Sequence, residues 1–172
     1  MNRFCSIFWY LLCVCSPLPA TDLLPLSLMS FNIRYGTADD GENRWTNRRD
    51  HVFQLIRERQ PDLLGLQEAL RFQIDEMLAA MPEYAMIGVG RDDGVKKGEH
   101  AAILYRQDRF QVSDSGTFWL SDTPEIAGSK SFGNKTTRIC TWSRFVDKET
   151  RRGIYFYNVH IKMAGIRRII SH

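Results

Sequence analysis

The spacing of hydrophobic residues changes character once along this chain, at Pro82, and that change limits what the chain can fold into. Before Pro82, strand-like and helix-like periods alternate; after it only strand-like segments recur. Residues 26–35 put Met29, Phe31, Ile33 and Tyr35 on one face and Leu28, Ser30, Asn32 and Arg34 on the other, which predicts a strand. Residues 36–43 are polar and glycine-bearing, hence a loop. From about Thr46, Val52, Leu55, Ile56 and Arg59 recur at helical spacing until Pro61. Residues 63–67 are short and apolar, as a buried strand requires. Ile74, Met77, Leu78 and Met81 then fall at i, i+3, i+4 and i+7, predicting a second helix that Pro82 closes.

Beyond Pro82, residues 84–89, 101–106, 110–119, 138–146 and 154–161 read as strands, with 147–153 as a hairpin loop between the last two. Residues 91–100 and 121–137 are polar and read as surface loops. The order strand, helix, strand, helix, then consecutive strands predicts an α/β chain, with helices on one face of a sheet and further β structure on the other. The 172 residues contain no internal repeat and no linker, which points to one domain. Hydrophobic residues make up 44%, enough to fill a core. A net charge of +3 is too small to mark a dedicated nucleic-acid binder.

Residues 1–20 read as a signal peptide. Arg3 supplies the positive start, the apolar run from Phe4 to Cys15 is too short to span a bilayer, and Pro17, Pro19 and Ala20 break it. A secreted or periplasmic protein with no stable membrane span is therefore expected. Three of the four cysteines, Cys5, Cys13 and Cys15, fall in that segment. Cys140 remains, so neither an intrachain bridge nor a cysteine zinc site is expected in the mature chain.

Several polar residues sit where chemistry is carried. Asn32 stands at a strand's carboxyl end, suited to orienting a ligand or initiating a turn. Glu68 follows the apolar run 63–67. A carboxylate there needs a cation, a pairing partner or a helix N-terminus to cap. Asn158 and His160 share a face of the last strand, so an amide and an imidazole lie side by side, either as structural groups or as contacts to developing charge.

Taken together, Phe31-Asn32-Ile33-Arg34, Pro61-Asp62 with Gln67-Glu68, and Tyr157-Asn158-Val159-His160 resemble the endonuclease/exonuclease/phosphatase superfamily in order and spacing. Gly41-Glu42-Asn43-Arg44-Trp45 with Arg48 and Arg49, the run from Gly116 to Ser121, and Thr137-Arg138-Ile139-Cys140-Thr141-Trp142 resemble its secreted bacterial branch. The resemblance covers residues 28–160. It implies a four-layer α/β/β/α sandwich (DNase I-like) and a Mg²⁺ (or Mn²⁺) cofactor. It also implies metal roles for Glu68 and Asn32, catalytic roles for His160 and Asn158, and substrate contact by Arg138. The implied substrate is a phosphoester of unspecified class, nucleic acid included.

The family's later Asp-x-Asn motif and terminal Asp-His pair have no counterpart in this sequence. After His160 the chain shows Lys162 nearby and ends at His172, which no Asp precedes. The expectation is therefore a signal peptide over 1–20 and, over 21–172, the front part of an endonuclease/exonuclease/phosphatase domain. The sandwich would be incomplete, solubility poor, and hydrolysis by these residues alone weak or nil. The competing expectation is a secreted, non-catalytic phosphate- or metal-binding module.

Overall fold

The computed structural model describes residues 25–161. The expected signal peptide, Lys162 and His172 lie outside the described residues. Two sheets form. The first contains β1 (Leu28–Asn32), β2 (Leu63–Gln67), β3 (Tyr84–Ile87) and β4 (Ile103–Arg106) in the order β1-β2-β4-β3. The second is an antiparallel meander of β5 (Phe110–Trp119), β6 (Ile139–Asp147) and β7 (Gly153–Val159). Helices α1 (Trp45–Arg59) and α2 (Arg71–Ala80) make the connections from β1 to β2 and from β2 to β3.

β1 and β2 pair in parallel, as a helical crossover allows, and β4 inserts antiparallel between β2 and β3. β2 is buried along its whole length, which explains its continuous apolar sequence. Its alternate side chains serve two cores. Leu64 and Leu66 join Ala102, Leu104, Ile56, Ile74 and Met77 on the helix side. Leu63 joins Ile103, Phe110 and Phe145 between the sheets. Full burial of each such side chain stabilises the fold by about 1.5–3 kcal/mol. The described residues thus stack helix on sheet on sheet, three layers of the expected four.

The predicted elements are present, with shifted ends. β1 stops at Asn32, level with the end of β2 at Gln67; Ile33 N–H donates the last rung to Gln67 O at 3.1 Å, and Arg34 turns out at φ 64°. The strand expected over 84–89 ends at Ile87, where Gly88 takes φ 125°. Among the described residues no helix is long and apolar enough to cross a membrane.

At the end of β2 away from Glu68, Arg109 ties the layers together. Its Nη1 donates to Asp62 Oδ2 at 2.6 Å and to Pro25 O at 3.0 Å, and its Nε donates to Asp147 Oδ2 at 3.0 Å. That leaves the opposite, carboxyl end of the strands for the polar residues singled out from the sequence.

Candidate active site

Asn32 and Glu68 meet because β1 and β2 run in parallel and in register, Asn32 opposite Gln67. Asn32 Nδ2 donates to Glu68 Oε1 at 3.0 Å, while Asn32 Oδ1 accepts from the backbone N–H of Arg34 at 2.9 Å. The second carboxylate oxygen, Oε2, accepts from the backbone N–H of Tyr35 at 3.1 Å. Glu68 itself takes φ 58°, a left-handed conformation that turns the carboxylate back toward β1. It does not cap the next helix, whose N-cap is Leu70. Burial opposes ionisation of Glu68, but the Asn32 amide, the Tyr35 N–H and the charges of His160 and Arg34 outweigh it and hold the pKa below the ordinary carboxylate value.

The loop after β1 that supplies the Tyr35 N–H is itself braced. Arg48 Nη2 donates to Ile33 O at 2.6 Å and Arg48 Nε to Asn43 O at 3.0 Å, with the guanidinium 5.2 Å from the Trp45 ring centroid. Gln73 Nε2 donates to Arg34 O at 3.1 Å. Trp45 Nε1 donates to Glu76 at 2.8 Å, locking α1 to α2. The Gly41 to Arg49 segment noted in the sequence therefore acts as scaffolding for Glu68.

His160 arrives from the other sheet, one residue past β7. Its Nε2 lies 3.9 Å from Glu68 Oε1 and its Nδ1 lies 4.0 Å from Glu99 Oε2. Arg138, one residue before β6, places Nη1 3.4 Å from His160 Nδ1 and donates to His160 O at 3.3 Å. A guanidinium only donates, so in the neutral ring that contact requires the lone pair on Nδ1 and leaves the N–H on Nε2, facing Glu68.

Asn158 and His160 share a face, as the alternation predicts, and the Asn158 amide is buried and engaged by protein groups. It is 4% exposed. Oδ1 accepts from Gln67 Nε2 at 2.7 Å, and Nδ2 donates to Leu66 O and Ala102 O, both at 2.8 Å. The side chain joins β7 to β2 and to the approach to β4, and so fixes the strand end that carries His160. Room for it comes from Gly65, where a Cβ would stand 2.9 Å from the Asn158 amide carbon.

Three further residues come from the loop over 91–100. Arg91 is ion-paired with Glu99 through a short contact, and Arg91 O accepts from Trp119 Nε1 at 2.7 Å. His100 is 1% exposed, with neither ring nitrogen hydrogen-bonded, and burial pushes its imidazole pKa down. Glu99 and His100 directly precede the buried run 101–104. The reasoning that singled out Glu68, a titratable group at the end of an apolar strand, applies to them equally.

The site thus collects one ionised carboxylate held by an amide and a backbone N–H, an imidazole facing it, and a guanidinium behind the imidazole. Oxygen donors of this kind fit a hard divalent cation, which accepts one or two carboxylates and completes its shell with water and phosphate oxygens. Among the described residues no three His, Cys, Asp or Glu side chains cluster to hold a metal by themselves.

Residues 29–161 match the family model described as Endonuclease/Exonuclease/phosphatase family. The crystal structure of an endonuclease/exonuclease/phosphatase from Bacteroides vulgatus is 40% identical, with a TM-score of 0.74 over 79% of this chain and 51% of that one. The mannosyl-6-phosphatase Bt3783 of Bacteroides thetaiotaomicron is 38% identical, with a TM-score of 0.78 over 83% of this chain and 54% of that one. Protein L388 of Acanthamoeba polyphaga mimivirus is 27% identical over 136 residues, 74% of this chain and 50% of that protein. The chain spans about half the length of the relatives it matches.

Proposed function

The chain belongs to the endonuclease/exonuclease/phosphatase family, and on that premise we propose that it carries part or all of a Mg²⁺-dependent (or Mn²⁺-dependent) phosphoester hydrolase site. The observation that carries this reading is the Glu68 carboxylate, kept ionised by Asn32 and the Tyr35 N–H and faced by the His160 ring at 3.9 Å. Glu68, oriented by Asn32, would hold the cation, which when bound neutralises charge on a phosphoryl oxygen. His160 donates from Nε2 to a phosphate oxygen, and the interaction strengthens as negative charge develops there. Arg138 fixes the tautomer that makes this donation available, and its guanidinium attracts the phosphate. Asn158 holds the end of β7 so that His160 keeps its place. Export, expected from residues 1–20, belongs to the same proposal.

Similarity to a mannosyl-6-phosphatase supports a sugar phosphomonoester as substrate; nucleic acid is the other class the family likeness leaves open. A second reading, a phosphate- or metal-binding module without turnover, is favoured by the small number of acidic groups brought together among the described residues. The test is titration of the 172-residue chain with Mg²⁺ and inorganic phosphate, alongside hydrolysis assays on a hexose 6-phosphate and on a single-stranded oligonucleotide. Binding with turnover supports the hydrolase, binding without turnover supports the module, and no binding of either probe refutes both. Glu68→Gln is expected to weaken Mg²⁺ at least tenfold.

A further inference from the structure

We propose that Gln73 is a positioning residue for the Glu68 carboxylate and acts on it through the peptide group between Arg34 and Tyr35; this rests on the phosphoesterase reading above. Glu68 Oε2 is held by the Tyr35 N–H at 3.1 Å. The other end of that same peptide group, the Arg34 carbonyl, accepts from Gln73 Nε2 at 3.1 Å. A trans peptide group is planar, with its N–H and C=O pointing in opposite directions. Fixing the carbonyl therefore fixes where the N–H points, and a bond to the oxygen polarises the N–H that meets the carboxylate. Arg48 Nη2 reaches the same oxygen at 3.4 Å, but its shorter bond, 2.6 Å, goes to Ile33 O, which leaves Gln73 as the main hold on this peptide.

Two backbone distortions bear on the same side chain. Arg34 and Glu68 both take left-handed conformations, φ 64° and 58°, which non-glycine residues hold only where the surroundings impose them. Gln73 bonds beside each. Its Nε2 holds the Arg34 carbonyl, and its Oε1 accepts from the N–H of Leu70, two residues past Glu68, at 2.9 Å. The Leu70 bond also fixes which end of the amide faces Arg34, because Oε1 is committed to an N–H and only Nε2 can donate. The side chain is fully buried, and it has room only because position 36 is glycine: a Cβ there would stand 2.4 Å from Gln73 Cδ. Capping α2 would need only half of this. An acceptor at the third helical position serves the Leu70 N–H, and glutamate supplies it as well as glutamine. The bond to the Arg34 carbonyl is what calls for an amide.

The experiment follows the full 172-residue chain by calorimetric titration with Mg²⁺ and by hydrogen exchange of the Tyr35 amide in the metal-free protein. Gln73→Glu keeps the acceptor for Leu70, whose N–H and the first turn of α2 favour the ionised carboxylate, and loses the donor to Arg34. The added negative charge would by itself strengthen cation binding. Mg²⁺ is nonetheless expected to bind about tenfold more weakly, and the Tyr35 amide to exchange about tenfold faster. Gly36→Ala leaves both functional groups of Gln73 in place but pushes them away, and is expected to have the same two effects; it stands in if Gln73→Glu does not fold. Unchanged Mg²⁺ affinity and unchanged Tyr35 exchange in Gln73→Glu, or in Gly36→Ala where that stands in, overturn the positioning role and leave Gln73 as a cap of α2, with the phosphoesterase reading intact. If the unmodified chain binds no Mg²⁺, the phosphoesterase reading fails, and the Tyr35 exchange rates still decide whether Gln73 orients the donor to Glu68.

Discussion

The chemistry of single residues here is set by who holds them. Glu68 is ionised less because of its own exposure than because Asn32 and the Tyr35 N–H each occupy one of its oxygens. Asn32 in turn is oriented by the Arg34 N–H, so its Nδ2 has one direction to point. Asn32→Ala removes that bond and leaves the burial that opposes ionisation. The carboxyl pKa of Glu68 is then expected to rise toward its ordinary value, read from the carboxyl carbon shift in an NMR titration, and Mg²⁺ affinity to fall about tenfold. An unchanged Glu68 titration in that variant would assign the depressed pKa to the more distant charges of His160 and Arg34 instead.

At the level of elements, one amide joins the two sheets at the end where the candidate site lies. Asn158 reaches across to β2 and toward β4, and it fits because position 65 has no side chain. Gly65→Ala forces the new methyl against that amide and is expected to cost about 1–3 kcal/mol in chemical denaturation. Asn158→Ala removes three buried hydrogen bonds, the one from Gln67 Nε2 and those to the Leu66 and Ala102 carbonyls, for roughly 3 kcal/mol. The two changes should not add: with the Asn158 amide gone, the Gly65→Ala methyl has room, and its cost in that background is expected to be near zero. Additive losses would show that Gly65 matters for another reason. This joint also marks how far the sequence could be read. The apolar periods of α1, α2 and β2 are each one-sided or fully buried, so spacing alone located them. β7 is apolar on both faces: Ile154 and Phe156 pack inward, whereas Tyr155 and Tyr157, each 58% exposed, stack outward beside Trp142. Alternation there identifies a strand but not its inner side, so the burial of Asn158 and its three bonds follow only from the packing of the sheets. The loop over 91–100 was legible as a loop, yet its path depends on Asp93 Oδ1 accepting from the backbone N–H groups of Val95, Lys96 and Lys97 and on the docking of Trp119 against Arg91. Without that path Glu99 and His100 have no visible relation to His160.

For the molecule as a whole, the same groups predict how it responds to acid, in two stages. His100 is buried, and burial outweighs the favourable Ala69 and Gly98 carbonyls, so its pKa is pushed below the ordinary 6.5. Between pH 6.5 and its folded value the unfolded chain binds more protons than the native one, so stability is lost as pH falls through that interval. Glu68 and Asp147 then follow. Burial opposes their ionisation, but the bonds each accepts outweigh it, from Asn32 and the Tyr35 N–H for Glu68, and from the Thr150 and Glu149 N–H groups and Arg109 for Asp147. Their folded pKa values lie below the ordinary 4.5 and 3.8, so their contribution is complete above those values and disappears as pH drops through the folded ones. Both stages have the same sign, and the growing positive charge on a chain already at +3 at neutral pH adds self-repulsion in the same direction. The melting temperature of the full chain is therefore expected to decline from pH 6.5 downward and to steepen below pH 4.5. His100→Gln carries no titrating ring at that position and should flatten the first stage while leaving the second. A melting temperature constant between pH 6.5 and 5 in the unmodified chain would mean that the Ala69 and Gly98 carbonyls offset the burial of the His100 imidazolium in full.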